Sequence, residues 1–498
     1  MASKFEKPTL DKDLNKIGHV EEATQHVSRS LLRPGLALLF LVVATLFVSI
    51  LVSGQPGAFT IAAAAAVGAY MAMNIGANDV TNNVGPAVGS RAMSMALALV
   101  VAAVFETAGA LIAGGDVVST ISKGIVDPAL IPSADIFIWA MMAALLSSAL
   151  WVNLATWLGA PVSTTHAVVG GVLGAGLTAA GAAAVNWGSM SAIVASWIIS
   201  PLLGGVIAAA FLAFIKEFII YRDDKIAAAR KWVPVLIAIM AGAFSAYLTV
   251  KGLNHIIKIS LLSAVLVGLV IGLAVWFLSI PLIARQSQGL ENRNQSLRKL
   301  FRIPLIFSAA LLSFAHGAND VANAIGPLAA IVHAVEAGEI SANVQVPIWV
   351  MIIGGVGISL GLLLFGPRLI RLVGEQITKL NPMRAYCVAL SAAITVIVAS
   401  WLGLPVSSTH IAVGGVFGVG FYREWYTRNS KRRATYIAAK AANGKIKPQP
   451  DASPEELRRR YLVRRSHFMT IVAAWIITVP ASALLAAGLY WILSAIVI

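Results

Sequence analysis

Gly76-Ala77-Asn78-Asp79-Val80-Thr81-Asn82 is written a second time as Gly317-Ala318-Asn319-Asp320-Val321-Ala322-Asn323. A Gly-Pro follows each copy, at Gly85-Pro86 and Gly326-Pro327. Each copy closes an apolar run, Ile61 to Met73 for the first and Ile303 to Ala315 for the second. A carboxylate at the end of a membrane-length segment is costly and points to a cavity and a partner. Its duplication points to an internal repeat.

Composition sets the class. The chain of 498 residues is 58% hydrophobic and 12% charged, against about 25% charged in soluble globular proteins. With many apolar runs near the spanning length of roughly 20 residues, this reads as an all-α polytopic membrane protein. The formal net charge of +15 does not indicate nucleic acid, because the basic residues crowd into a few loops, as the positive-inside rule describes. The single cysteine, Cys387, excludes an internal disulfide and a cysteine metal cage. The first thirty residues lack an apolar h-region, so no cleaved signal peptide is expected. Within them, Leu10, Leu14, Ile17, Val20, Val27 and Leu31 recur at roughly helical spacing, which suggests a short amphipathic helix on the membrane surface.

Thirteen segments read as crossings: 35–54, 57–74, 94–113, 134–157, 160–186, 190–215, 232–250, 256–284, 303–318, 347–366, 386–402, 406–422 and 468–497. Lys and Arg crowd the N-terminal tail, 216–231, 285–302, 368–384 and 423–467, whereas 114–133 and 324–346 share one lysine, Lys123. The rule puts the basic loops and the N-terminus on the cytoplasmic side of the cell membrane. Parity then requires the Gly-rich run 160–186 and the segment 406–422 each to count as a crossing.

The repeat extends further. Trp157-Leu158-Gly159-Ala160-Pro161-Val162-Ser163-Thr164-Thr165-His166 returns as Trp401-Leu402-Gly403-Leu404-Pro405-Val406-Ser407-Ser408-Thr409-His410. The step from Ser163 to Ser407 is 244 residues, close to the 241 from Asn78 to Asn319. The chain therefore divides into a tail over 1–34, an extra helix over 35–54, a first repeat over 57–231, a linking pair with a basic loop over 232–302, and a second repeat over 303–498. Each repeat holds an odd number of crossings, so the second is inverted. Inverted repeats with interrupted helices at matching positions are the pattern of secondary transporters with a midplane site.

The chemistry divides between two motif pairs. In each hairpin motif proline breaks one helix and Ser or Thr caps the next. A helix start offers free N–H groups, and Ser163, Thr164 and Thr165 with Ser407, Ser408 and Thr409 add hydroxyls. Together they form an anion cradle without a basic side chain. The same residues also suit plain capping of a broken helix. Asp79 and Asp320 have no Lys or Arg in their motifs, so an anion nearby demands a cation as well. Oxygens of these acids and of Asn78, Asn82, Asn319 and Asn323 suit a hard cation such as sodium. Glu106, in Phe105-Glu106-Thr107-Ala108-Gly109, is a third acid in an apolar run, read as a cation ligand, a proton carrier or an acid tied to a neighbouring helix. His166 and His410 follow the hydroxyl triplets and can titrate near neutrality. His316 has no counterpart in the first copy, where Ile75 stands, and is the weaker candidate.

On both Gly-Ala-Asn-Asp signatures and both Pro-Val-Ser-(Thr/Ser)-Thr-His motifs, the chain resembles the inorganic phosphate transporter (PiT) family from about residue 57 onward. The resemblance implies an inverted repeat of about twelve helices, here with one extra N-terminal helix. It also implies inorganic phosphate as cargo with sodium or protons as the coupling cation, bound by the Asn-Asp and Ser/Thr residues just named. It implies no cofactor; the lipid bilayer is the surroundings, and a homo-oligomer is compatible. Thr81 and Asn83 depart from the small residues usual in that family. Some members carry sulfate, which has the shape of phosphate but lacks its proton; Asp79 and Asp320 can accept a P–OH and so favour phosphate. A prenyl transferase-type enzyme using magnesium pyrophosphate fits poorly, since Asn82 and Asn323 stand where a second acid belongs.

Overall fold

The computed structural model describes residues 31–252, 259–338, 346–376, 380–442 and 465–497. The expected amphipathic helix before residue 31 and much of the 423–467 loop lie outside them. The described residues form sixteen α-helices: α1 (Leu31–Leu51), α2 (Ala58–Gly89), α3 (Met95–Ala113), α4 (Gly115–Lys123), α5 (Ala134–Leu158), α6 (Thr164–Ala180), α7 (Trp187–Ile215) and α8 (Lys225–Lys251). The second half gives α9 (Leu261–Gln286), α10 (Asn294–Leu300), α11 (Arg302–Ala337), α12 (Ile348–Gln376), α13 (Pro382–Trp401), α14 (Ser408–Asn429), α15 (Lys431–Ala442) and α16 (Arg465–Val497). The starts are capped by their own sequence: Ser94, Ser133, Asn186, Asp224 and Asn381 each accept a backbone N–H from the first turn. Each such cap stabilises its helix by about 1 kcal/mol.

Eleven of these helices are long and apolar enough to cross a membrane, two fewer than the thirteen crossings expected. The two that fall short are α6, of 17 residues, and α14. Both are the second arms of helical hairpins. In the first, Ser148 on α5 donates to the carbonyl of Ala167 on α6, and Gly171 packs on Ala144, so the arms run antiparallel. Beyond α6, Val185 bridges back to Val126, ahead of α5, so the pair leaves on the side where it entered. Such a pair leaves the sidedness of the flanking loops unchanged whether or not each arm spans the membrane, and so it meets the parity requirement as a unit. In the second, Gly415 on α14 packs against Val388 and Ser391 on α13.

A second correction concerns the Asn-Asp motifs. They do not end helices. α2 runs for 32 residues and α11 for 36, straight through the motifs and through Pro86 and Pro327. The polar side chains find partners on neighbouring helices, so the backbone has no reason to unwind; membrane helices tolerate proline where such neighbours exist. Proline has no N–H to give the carbonyl four residues earlier, which here belongs to Asn82 and Asn323.

Glycines bring these two helices into backbone contact with others. Gly76 on α2 lies against the carbonyl of Ile358 on α12, and Gly361 answers against Met73. Gly317 on α11 lies against Glu106 on α3, and Gly109 answers against Phe314. Small residues of this kind permit the close packing that holds membrane helices together. The central helix α11 has 89% of its spanning window buried, against 11% for α1 and 17% for α9. α11 is therefore the core, and α1 and α9 present leucines and valines outward, the exposure a lipid surrounding accepts.

Candidate functional site

Both hairpin tips are shaped by glycine. Gly159 and Gly403 take the left-handed conformation, with φ of 75° and 69°, which closes α5 and α13 at little cost only because they lack a side chain. The chain then runs extended through the Pro-Val dipeptides until Ser163 and Ser407 cap the next helices, accepting the N–H of His166 at 3.1 Å and of His410 at 3.2 Å. These two serines thus fill the capping role foreseen for them.

Asn78 and Asn319 pin the tips to α2 and α11. Asn78 Nδ2 donates to Thr156 Oγ1 at 2.9 Å and to the Ala160 carbonyl at 3.2 Å, while its Oδ1 accepts from Val162 N at 3.2 Å. Asn319 repeats the first two contacts, donating to Ser400 Oγ at 3.0 Å and to the Leu404 carbonyl at 3.3 Å. Its Oδ1 finds no donor among the described residues. Asn78 thus has both ends of its amide engaged, and Asn319 keeps one oxygen free.

The remaining hydroxyls converge on the acids and on the far amides. Thr164 donates to Asp79 Oδ2 at 2.8 Å, and Ser408 donates to Asp320 Oδ2 at 2.9 Å. Thr409, from the other hairpin, reaches Asp79 Oδ1 at 3.2 Å. Two amides cross between halves in the same way: Asn82 donates to Thr409 at 2.8 Å and Asn323 to Thr165 at 3.1 Å. Asp79, Thr164, Thr165, Thr409, Asn82 and Asn323 are therefore joined in one network across the two halves, and Ser408 with Asp320 forms a separate pair. All of these side chains are buried.

His316, the weaker candidate in the sequence, sits at the centre. Its Nε2 is 2.9 Å from Asp320 Oδ2 and 3.6 Å from Asp79 Oδ2, and its Nδ1 is 3.4 Å from Glu106 Oε2. Glu106 is fully buried and accepts from Asn83 Nδ2 at 2.6 Å. The departure at Asn83 thus secures the third acid, whereas Thr81 bonds only within its own helix, to the Asn78 carbonyl. The packing partners set the correspondence between halves. Glu106 meets Gly317 as Ile358 meets Gly76. So Asn83, Glu106 and His316 stand where the other half has Ala324, Ile358 and Ile75. A polar triad on one side faces an apolar triad on the other. The available signal for His316 was its spacing of four residues from Asp320, which puts both on one helix face.

His166 and His410 stand back from the acids. Their rings meet edge-on at 4.4 Å and are covered by Trp197 at 3.8 Å and Trp475 at 3.6 Å respectively. Trp197 also donates to the Pro405 carbonyl at 3.1 Å and so holds the second tip.

The donor set suits a hard cation. Carboxylate oxygens of Asp79 and Asp320 lie with a nitrogen of His316 within 4.8 Å of one another. The buried oxygens Asp320 Oδ1, Asn319 Oδ1 and Asn323 Oδ1 find no donor among the described residues. Oxygens buried without a donor are expensive.

Comparison with known proteins agrees with these features. The family model described as "Phosphate transporter family" matches residues 75–486. Two proteins of Helicobacter pylori, from strains J99 and 26695, both named "Putative phosphate permease", are 47% identical over 96% of this chain and 98% of their own length. A solved structure titled "The sodium-dependent phosphate transporter" superposes with a TM-score of 0.76 at 32% identity, covering 88% of this chain and 100% of that one.

Proposed function

The chain belongs to the phosphate transporter family, a family of transporters and not of enzymes, and we propose that it carries inorganic phosphate across the membrane together with a cation. The observation that carries this reading is the buried cluster of Asp79, Asp320 and donor-free amide oxygens, which among the described residues has His316 as its one basic neighbour. A dianion entering the hydroxyl-lined side adds negative charge to two acids already in a low-dielectric setting, where like charges repel strongly. Neither ion binds well without the other. Obligate co-binding is the basis of symport.

In this reading the two repeats are inverted and the hairpin tips meet at the midplane. The reciprocal contacts support it: Gly76 with Ile358 against Gly317 with Glu106, and Asn82 with Thr409 against Asn323 with Thr165. Thr164, Thr165, Ser408 and Thr409 with the starts of α6 and α14 receive phosphate. Asp320, Asn319 and Asn323 ligate the cation, joined by Asp79 and by the carbonyls of Asn82 and Asn323 that Pro86 and Pro327 leave without a helical donor. Asn78, with its amide engaged, positions the first tip, and Ser163 and Ser407 act as caps. Rocking of one hairpin pair against its scaffold then opens the site to either face in turn. The sidedness of the basic loops puts the N-terminus in the cytoplasm.

Uptake of labelled phosphate and labelled sulfate into proteoliposomes tests the reading, with sodium and proton gradients imposed separately. Accumulation of phosphate over sulfate, driven by one of the two gradients, is the expected result. Uptake indifferent to both gradients would overturn symport. Sulfate accumulating as well as phosphate would overturn the choice of anion.

A further inference from the structure

A second concentration of charge lies away from this site. The end of α2, α10, and the starts of α11 and α13 enclose a concavity of about 510 Å³ lined by Arg91, Arg298, Lys299, Arg302 and Arg384, with no carboxylate among its lining residues. Asp79 and Gly89 stand ten positions apart on α2, about 15 Å at the helical rise, so this is not the site described above. Basic residues are common at this level of a membrane protein. Elsewhere two arginines find acids, Arg293 with Glu291 and Arg432 with Glu217, and Lys216 and Lys225 lie over tyrosine rings. The five in the concavity pair with no acid among the described residues.

The backbone supplies an independent observation. Arg91 is the one non-glycine among the described residues with positive φ, at 61°. It occupies the position after a helix end where glycine is favoured; α11 ends with Gly338 in that conformation, φ 66°. The turn is fixed by Arg91 N donating to Val88 and Ala92 N donating to Ala87, both at 2.9 Å. The Ala92 carbonyl in turn accepts from Arg302 Nε at 2.5 Å, which holds that guanidinium at the rim. A side chain kept where glycine would be less strained points to a use for the side chain.

We infer that this concavity binds an anion bearing one or more phosphate groups with at least two negative charges in all. Arginine forks match phosphate oxygens in pairs, and five cations in one enclosure exceed what a single charge needs. Such a group reaches the concavity either as a free oligophosphate or as the headgroup of an anionic lipid, and two measurements separate the sources. Purified full-length protein in neutral detergent is titrated with tripolyphosphate by calorimetry. In parallel, protein in mixed cardiolipin–phosphatidylcholine nanodiscs is analysed by native mass spectrometry for retained cardiolipin, whose two phosphates carry the two charges. The variant is Arg91→Gly combined with Arg298→Gln. Arg91→Gly relieves the left-handed backbone, and an unchanged melting temperature verifies that the fold is kept. The expected result is binding in one of the two experiments that weakens about tenfold or more in the variant, about 1.4 kcal/mol. The experiment in which it occurs identifies the source. Binding in neither, or equal binding by the variant, overturns the inference.

Discussion

Asp79 and Asp320 occupy the same place in the two repeats and are not held alike. Asp79 accepts hydroxyl hydrogen bonds from both hairpins, Thr164 and Thr409, whereas Asp320 takes Ser408 on one oxygen and keeps the other free of donors. On the proposed reading Asp320 is therefore the more available cation ligand. Asp320→Asn is expected to lower gradient-driven phosphate uptake by roughly 150-fold or more, on the scale of losing a buried charge partner at about 3–5 kcal/mol, with normal elution on size exclusion. Thr409→Val removes a bond to Asp79 and the acceptor of Asn82 together. Two lost hydrogen bonds at about 1 kcal/mol each sum to about 2 kcal/mol, so a rise of roughly thirtyfold in the phosphate concentration for half-maximal uptake is expected. His316→Ile recreates the apolar arrangement of Ile75 and Ile358. Uptake driven by a proton gradient is expected to fall in it by more than about tenfold (1.4 kcal/mol), more than uptake driven by sodium does; equal loss under both gradients would count against a special role for the imidazole.

At the scale of elements, the hairpins were legible and the long helices were not. Gly159 and Gly403 followed by Pro-Val-Ser mark a helix end and a helix start, and the structure has both. The runs ending near Met73 and Ala315 look like helix ends because polar residues follow. What keeps those residues helical is a set of partners some 80 residues away or in the other half, which no local pattern encodes. The same holds for α3 and α12, whose glycines matter only because of what they touch. Gly317→Leu pushes a side chain into the backbone of Glu106. Overpacking of this kind costs about 1–3 kcal/mol, so a drop of several degrees in the melting temperature in detergent is expected. Gly85→Ala adds a methyl group with nothing within 4 Å inside α2, and alanine is favoured over glycine there by about 0.5–1 kcal/mol, so it should melt slightly above the parent.

Across the whole molecule, duplication and charge placement could be read from the sequence, because both are properties of the chain alone. The correspondence of Asn83, Glu106 and His316 with Ala324, Ile358 and Ile75 could not, since it needs the register of α3 against α11 and of α12 against α2. Sidedness remains a proposal and has a direct measurement. The sole cysteine, Cys387, is buried, so single cysteines introduced at exposed positions report by themselves. Leu130→Cys is expected to react with a membrane-impermeant maleimide applied to intact cells, and Lys431→Cys only after the membrane is opened. The reverse pattern would turn the proposed orientation over.

The last helix is also the wall of the first hairpin. Gly170 and Gly174 on α6 lie against Val479 and Ala483 on α16, and Ser482 donates to the Ala167 carbonyl at 2.6 Å. In exchange, α7 closes on α14, with Gly414 against Pro201 and Gly418 against Gly205. During synthesis the outer face of the first hairpin therefore stays uncovered until α16 has left the ribosome. A stop codon near residue 464 would leave every Asn-Asp and Ser/Thr residue in the product and still deprive the first tip of its support. The first hairpin's support is complete only once α16 has been made.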